Sequence, residues 1–151
     1  MTDRKRILVV DDDRSLTELL KMVLEDAGYD VELAENGREA IVSAAKQPPD
    51  LVVLDVVMPE MDGWETSDHL LSHERTASIP IIFLSARVGP EDQLRGWYRG
   101  CFDYLTKPFD IQELLEKVGQ ALHGPSDAVE QLARDLRQQR IAALEQIVGE
   151  E

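Results

Sequence analysis

Four short apolar runs, each followed at once by a polar side chain, most constrain what this chain can fold into. The runs and the residues that follow them are Ile7–Val10 before Asp11, Leu51–Leu54 before Asp55, Ile81–Leu84 before Ser85, and Tyr104–Thr106 before Lys107. Such short runs are typical of buried strands. In an open parallel sheet, the carboxyl ends of the strands meet at one edge, where these folds bind ligands. The sequence therefore predicts one site that contains carboxylates, a hydroxyl and an ammonium group.

Segments with helical spacing separate the apolar runs. The first has apolar residues three or four apart, at Leu16, Leu19, Leu20, Val23, Leu24 and Ala27. Ser15 with Glu18 fits a capping box at its start, and Gly28 fits its end. The remaining predicted elements are a second strand over Tyr29–Ala34, a helix from Asn36-Gly37 to Lys46, a helix over Gly63–His73, a helix opened by Pro90 and a helix capped by Asp110. Five strand–helix pairs predict an α/β fold with a doubly wound, five-stranded parallel sheet, because parallel strands need crossover connections.

Residues 1–123 are predicted to form this domain, and residues 124–151 a C-terminal helical extension after a Gly-Pro break. Asp127 with Glu130 fits a cap at the start of the extension. Its apolar residues are predicted to form one stripe, interrupted by Arg140: Val129, Leu132, Ala133, Leu136, Ala143, Leu144 and Ile147. Isolated helices of this length are marginal in water, so the extension is expected to pack on something. Three roles stay open for it: a dimer helix, a lid on the fifth helix, or a docking helix for a partner.

Composition excludes several classes of function. The net charge of −14 argues against direct nucleic-acid binding, which depends on Lys and Arg contacts to phosphates. No stretch approaches the roughly 20 apolar residues that cross a membrane, and the first residues do not resemble a secretory segment. Cys101 is the single cysteine, so no internal disulfide can form; it is predicted to be a small packed residue. These observations favour a cytoplasmic protein without a membrane partner.

The chain resembles the receiver domain of bacterial two-component response regulators over roughly its first 120 residues. The motifs that carry this resemblance are, in order, Asp11-Asp12, Asp55-x-x-Met58-Pro59-x-Met61-Asp62-Gly63, Ser85-Ala86 and Lys107-Pro108-Phe109. Receivers accept a phosphoryl group on an aspartate, and the resemblance implies the strand order 2-1-3-4-5. Each motif alone would be weak evidence, whereas all of them in register are strong evidence.

The resemblance assigns roles to the clustered acids. Asp55 would be the phosphoacceptor, Asp12 and Asp55 would ligate Mg²⁺ directly, and Asp11 would act through water. The backbone carbonyl of Val57 would complete the protein ligands. Clustered carboxylates are the oxygen ligands that Mg²⁺ prefers. For Asp11 and Asp12 taken alone, capping of the following helix is the competing interpretation, and Asp13 is expected to have that role.

Lys107 and Ser85 would each contact a phosphoryl oxygen, and the Lys107–Pro108 peptide would be cis. A solvated surface position is the alternative for Lys107. Phosphorylation would draw the Ser85 hydroxyl toward the site and let Tyr104 rotate inward, which would change the face formed by the fourth helix, the fifth strand and the fifth helix. Tyr104 as an ordinary boundary aromatic is the alternative. Arg87, with Val57, is expected to flank the phosphoryl group, and because valine cannot hydrogen-bond an attacking water, the aspartyl phosphate is not expected to be short-lived.

Three aromatic residues near the fifth strand are an interface candidate. Phe102 stands where the family usually has a small acidic or polar residue, and Trp97 and Tyr98 precede it. Aromatics are enriched at binding hot spots, but they are equally common in cores, so both interpretations stay open. Two weaker candidates lie on the predicted third helix, where His69 and His73 are spaced for a metal but are more typical of surface histidines.

The leading hypothesis is a stand-alone receiver that accepts phosphate from a histidine kinase or a phosphotransfer protein and signals to an unknown protein target. It would be no enzyme beyond its own phosphorylation and autodephosphorylation. The first alternative is a non-switching scaffold of the same fold, a homodimer through the C-terminal extension. A second alternative is a phosphatase that acts on free substrates, including one with the aspartate pair of dehalogenase-like enzymes.

Overall fold

The computed structural model describes residues 4–86, 89–124 and 127–149, and for residues 127–133 it describes the backbone alone. Strands and helices alternate along the chain. They are β1 (Arg6–Val10), α1 (Arg14–Asp26), β2 (Asp30–Ala34), α2 (Gly37–Lys46), β3 (Leu51–Asp55), α3 (Gly63–Leu71), β4 (Ile81–Ser85), α4 (Pro90–Tyr98), β5 (Asp103–Thr106), α5 (Ile111–Leu122) and α6 (Asp127–Gly149). Among these ranges, none of the helices combines the length and apolar character that a bilayer span requires.

The sheet confirms the predicted fold. Its strands are all parallel and lie in the order β2-β1-β3-β4-β5. Every residue of β3 and β4 is buried, because helices cover both faces of the sheet and two core clusters fill the space between. The edge strand β2 alternates between more buried and exposed positions instead. The order puts β1, β3 and β4 in the middle and leaves β5 at an edge.

The start of α1 confirms the cap expected of Asp13 and not the predicted capping box. Asp13 is the N-cap, and its side chain accepts a hydrogen bond from the backbone N–H of Leu16 at 3.2 Å. The predicted Ser15–Glu18 capping box is wrong, because the helix already begins at Arg14. Leu19 is exposed, so the buried face is narrower than the apolar spacing suggested. The fully buried residues of α1 are Thr17, Leu20 and Leu24.

Other helix ends follow local side-chain chemistry. Asn36 caps α2, Asp62 caps α3 and Asp110 caps α5, each by accepting a backbone N–H of the first turn. The third helix ends at Leu71, two residues before the predicted His73. These caps set where each helix leaves the strand end that precedes it.

The C-terminal helix α6 packs along α4. Ile141 and Leu144 lie against the core cluster, whereas Leu136 and Ile147 are 55% and 50% exposed. The prediction of one buried apolar stripe is therefore wrong for Leu136 and Ile147. The extension does cover part of its own domain, as one of the three predicted roles required, but it packs on α4 and not on the fifth helix. The side chains of Val129, Leu132, Ala133, Asp127 and Glu130, which the stripe and cap predictions also used, lie outside the described residues.

Candidate functional site

Three acids meet at the carboxyl edge of the sheet, as the strand ends predicted. Asp11 and Asp12 follow β1, and Asp55 is the last residue of β3. One carboxylate oxygen from each lies within 4.8 Å of the others. Asp11 and Asp55 are buried, whereas Asp12 is exposed. The cluster therefore opens to solvent on the side of Asp12.

Lys107 points its ammonium into this cluster. Its Nζ donates a hydrogen bond to Asp11 Oδ2 at 2.7 Å and lies 3.4 Å from Asp55 Oδ1. The residue directly follows β5, and its backbone N–H donates to the carbonyl oxygen of Ser85 at 2.8 Å. The Lys107–Pro108 peptide is cis, as expected. Lys107 is therefore not the solvated surface lysine of the alternative interpretation.

The electrostatics of the site centre on Asp55, which is only 4% exposed. Burial, and then the charge of Asp11, raise the pKa of Asp55 from the usual 3.8 to about 6, although Lys107 opposes the shift. For Lys107, burial lowers the pKa, but its hydrogen bond to Asp11 and the charge of Asp55 outweigh that effect, so its pKa is raised. The site thus holds more negative charge than one ammonium group neutralises.

A divalent cation fits this arrangement. Two buried carboxylates and one exposed carboxylate provide oxygen ligands on the open side of the cluster, which suits a hard ion such as Mg²⁺ that keeps several waters. The backbone N–H of Asp13 donates to Asp11 Oδ1 at 2.9 Å and orients that carboxylate. The Val57 backbone amide acts to lower the pKa of Asp55, so the Val57 peptide lies beside the cluster.

Ser85 and Tyr104 lie on the strands next to the acids. Ser85 is fully buried at the end of β4, where it pairs with Thr106 of β5, while Leu84 pairs with Asp55. Tyr104 is 8% exposed, so an inward rotation of its side chain would not begin from a solvent-exposed position. Arg87, the other expected neighbour of the phosphoryl group, lies outside the described residues.

One site residue was not singled out from the sequence. Gly63 begins α3 directly behind the phosphoacceptor candidate, and its N–H donates to the carbonyl oxygen of Val56 at 2.8 Å. A Cβ atom there would lie 2.3 Å from the backbone oxygen of Asp55. Only glycine allows this approach. The Asp62-Gly63 pair was the available signal, because Asp62 caps the helix that the glycine starts.

The aromatic candidates divide between core and surface. Trp97 is buried in the core, Phe102 is half-buried and Tyr98 is exposed. Cys101 is 4% exposed and burial raises the pKa of its thiol to about 12, which confirms the packed role. His69 and His73 are both exposed, and among the described residues no third metal-ligating side chain lies close to both of them.

A family model described as a response regulator receiver domain matches residues 7–119. The chain belongs to the response regulator receiver family. Receivers serve phosphorylation-dependent signalling, interact with histidine kinases or phosphotransfer proteins, and bind Mg²⁺ at an acidic pocket. In this chain, Asp11, Asp12 and Asp55 form an acidic cluster at the carboxyl edge of the sheet.

Two curated relatives show how much of a response regulator this receiver covers. RpaA of Synechocystis sp., named a DNA-binding dual master transcriptional regulator, is 41% identical over 129 residues, which are 85% of this chain and 53% of that protein. The response regulator MprA of Mycolicibacterium vanbaalenii is 47% identical over 113 residues, 75% of this chain and 48% of that protein. The chain thus spans about half the length of these relatives.

Solved receivers share its fold. The chemotaxis protein CheY4 of Vibrio cholerae aligns with a TM-score of 0.75 at 34% identity, over 79% of this chain and 99% of that one. A response regulator from Chloroflexus aurantiacus aligns with a TM-score of 0.76 at 36% identity, over 80% of this chain and 99% of that one. In both cases the neighbour is covered almost completely, so the part of this receiver left over is an addition to the shared fold.

Proposed function

We propose that this receiver accepts a phosphoryl group on Asp55 from a histidine kinase or a phosphotransfer protein and passes the signal on through protein contacts. The observation that carries the proposal is the position of the Lys107 ammonium, which contacts both Asp11 and Asp55. A half-buried cation aimed at two carboxylates, beside an open acidic pocket, is the arrangement that phosphoryl transfer to a carboxylate requires. Catalysis of such a transfer is mostly positioning and charge stabilisation.

The charge balance of the site supports Asp55 as the nucleophile. A pKa of about 6 keeps much of Asp55 ionised at neutral pH, so an anionic oxygen is present to attack phosphorus as the donor group leaves. Asp11, Asp12 and the Val57 carbonyl are the proposed further ligands of Mg²⁺. Bound there, the ion would supply the positive charge that reconciles a carboxylate with an incoming phosphoryl group.

Lys107 and Ser85 are the proposed phosphoryl-oxygen contacts. Lys107 carries a compact charge on a flexible stem, and its Nζ needs only to exchange a carboxylate partner for a phosphoryl oxygen. Ser85 ends the strand next to that of Asp55. A hydroxyl at this position can donate to a second oxygen, which makes Ser85 and Tyr104 on the neighbouring β5 the proposed switch residues.

The test is the intact mass after incubation with acetyl phosphate, with and without Mg²⁺, for wild type, Asp55→Asn and the control Asp26→Asn. Asp26 is an exposed acid at the end of α1. We expect one added phosphate in wild type and in the control, dependent on Mg²⁺ and lost in Asp55→Asn. Absence of any adduct, beside a second receiver that is phosphorylated in the same assay, would contradict the proposal and favour the scaffold alternative.

The scaffold alternative relied on the C-terminal helix as a dimer contact. In this structure, α6 packs on α4 of its own chain through Ile141 and Leu144. Direct DNA binding is a property of the Synechocystis relative, which is about twice as long as the matched region. For this receiver we propose protein targets, and its stand-alone nature and cytoplasmic location stay predictions.

A further inference from the structure

Helix α6 covers two of the three aromatic residues with arginines. The guanidinium of Arg137 lies 5.6 Å from the ring centroid of Phe102, and that of Arg140 lies 5.3 Å from the ring centroid of Trp97. These are cation–π distances, and each arginine stem adds apolar cover. The interruption in the apolar pattern at Arg140 is therefore part of the contact surface.

Polar contacts on either side of Ile141 also hold α6 in place. Arg140 also approaches Asp103 of β5, with 3.8 Å between Nη1 and Oδ1. The hydroxyl of Tyr98 on α4 donates a hydrogen bond to the carboxylate of Glu145. Between these contacts, Ile141 packs against the core cluster. The face formed by α4 and the start of β5, called the α4–β5 face below, is thus occupied by the chain's own C-terminal helix.

Strand β5 connects this face with the phosphoacceptor site. Its first residue, Asp103, pairs with Arg140, and Lys107, which contacts Asp55, follows its last residue. The Cα atoms of Asp103 and Lys107 are separated by four residues, which is about 13 Å at the rise of a strand. β5 is an edge strand and is hydrogen-bonded only to β4. A movement of Lys107 therefore displaces β5 more easily than it would displace a central strand, which is hydrogen-bonded on both sides.

Helix α4 also follows the strands closely. A Cβ atom on Gly96 would lie 3.3 Å from ring carbons of both Phe83 and Tyr104, so α4 is packed closely against β4 and β5. A displacement of either strand end therefore reaches the surface on which α6 lies. The contacts of α6 with α4 and β5 fit the positions that these elements have in the unphosphorylated chain. A displacement of α4 or β5 therefore weakens the contacts of α6.

We propose that α6 is a phosphorylation-sensitive lid, which covers the α4–β5 face while Asp55 is unmodified and leaves it when Asp55 carries a phosphoryl group. The inference rests on the proposed function. A new phosphoryl group competes with Asp11 for Lys107, which shifts the site end of β5. Phosphorylation of Asp55 would thus release α6 and expose the α4–β5 face for a protein partner.

The single cysteine reports on the lid. Cys101 lies beneath α6, where it lines a cavity of about 140 Å³ together with Trp97, Arg137 and Ile141. Its 4% exposure protects the thiol while the lid is closed. No other cysteine competes for a thiol reagent. The rate of alkylation of Cys101 therefore measures how often α6 leaves.

The experiment treats the full chain with acetyl phosphate and Mg²⁺, adds a short pulse of iodoacetamide and reads the intact mass. Each molecule then reports its own phosphorylation and its own alkylation in one spectrum. We expect alkylation to be about tenfold faster among phosphorylated molecules than among unphosphorylated molecules of the same sample, within the usual range of coupling between two sites. In Asp55→Asn, the same treatment is expected to leave the rate unchanged.

Equal or slower alkylation of the phosphorylated molecules would overturn the lid while leaving the proposed function intact. A complete lack of phosphorylated molecules would instead overturn both. Protection of Cys101 that falls on dilution, together with a dimeric mass in solution, would mean that α6 covers the face of a second copy, which also contradicts an intramolecular lid.

A matched pair of variants tests the contact without phosphate. Ile141→Asp puts a charge into the packed side of α6, and Ile147→Asp makes the same change at a position that is 50% exposed. We expect faster alkylation of Cys101 in Ile141→Asp and the wild-type rate in Ile147→Asp. Equal rates in the two variants would show that α6 does not protect the thiol through this face.

Discussion

The charge on Asp55 is expected to destabilise the metal-free protein at neutral pH, so Asp55→Asn should stabilise it. Asp55 is almost fully buried, and burial together with the Asp11 charge raises the pKa of its carboxyl from 3.8 to about 6. The folded state therefore binds the proton more tightly than the unfolded chain. Stability from this group is present below pH 3.8 and is lost as the pH rises through about 6.

The magnitude follows from the size of this shift. One pKa unit corresponds to about 1.4 kcal/mol, so the ionised carboxylate costs at most roughly 3 kcal/mol above pH 7. The amide introduced by the substitution would remove that cost but would also weaken the contact with Lys107, which is 3.4 Å away in the wild type. We therefore expect a net gain in the free energy of unfolding of about 1–2 kcal/mol at pH 7.5, and almost none near pH 4.

Urea unfolding in EDTA, followed by the fluorescence of the two buried tryptophans, measures this difference at both pH values. The control Asp26→Asn removes an exposed charge and should stay within about 0.5 kcal/mol of wild type. Mg²⁺ should then stabilise wild type more than Asp55→Asn, because the Asp55 carboxylate is a proposed ligand of the ion. A less stable Asp55→Asn at pH 7.5, or a difference that does not change with pH, would refute the electrostatic reasoning.

Three further substitutions test single contacts of the site. Lys107→Met should destabilise the metal-free protein by about 1–3 kcal/mol in urea unfolding, because it leaves Asp11 buried without its ammonium partner; unchanged stability would contradict this. Gly63→Ala should cost about 1–3 kcal/mol, since its Cβ would meet the backbone carbonyl of Asp55, whereas the control Gly119→Ala, with open space around it, should be neutral or stabilising. Val57→Asn should speed hydrolysis of the aspartyl phosphate, followed by loss of the phosphate mass, because an amide can hydrogen-bond the attacking water; an unchanged lifetime would remove the basis for that expectation.

The sequence predicted the sheet and the site because both depend on short-range pattern. Apolar runs locate the buried strands, and the polar residue after each run must lie at the common edge of the sheet. This reasoning predicted that Asp11, Asp55 and Lys107 lie together, and Lys107 does contact both acids. The strand order came from the resemblance. The sequence offered two starts for α1, because Asp13 and Ser15 are both good capping residues, and only the backbone geometry decides for Asp13.

The face of α6 could not be predicted from its apolar pattern. Which residues of a helix are buried depends on the neighbour, and here the neighbour is an aromatic helix surface rather than a sheet. Arg140 stacks over Trp97 and so belongs to the contact, while Leu136 and Ile147 remain exposed. Arginine can bury its aliphatic stem while its guanidinium keeps polar contacts. A pattern of apolar residues nevertheless treats an arginine as an interruption of the buried face.

If Asp55 itself accepts the phosphoryl group, the modification must lie on its carboxylate. The most direct test is to reduce the acetyl phosphate-treated protein with borohydride, which converts an aspartyl phosphate to homoserine, and to identify the modified residue by peptide mass. We expect homoserine at the position of Asp55, only when Mg²⁺ was present during phosphorylation. Homoserine at another aspartate, or phosphate retained on Ser85 or a histidine, would contradict it.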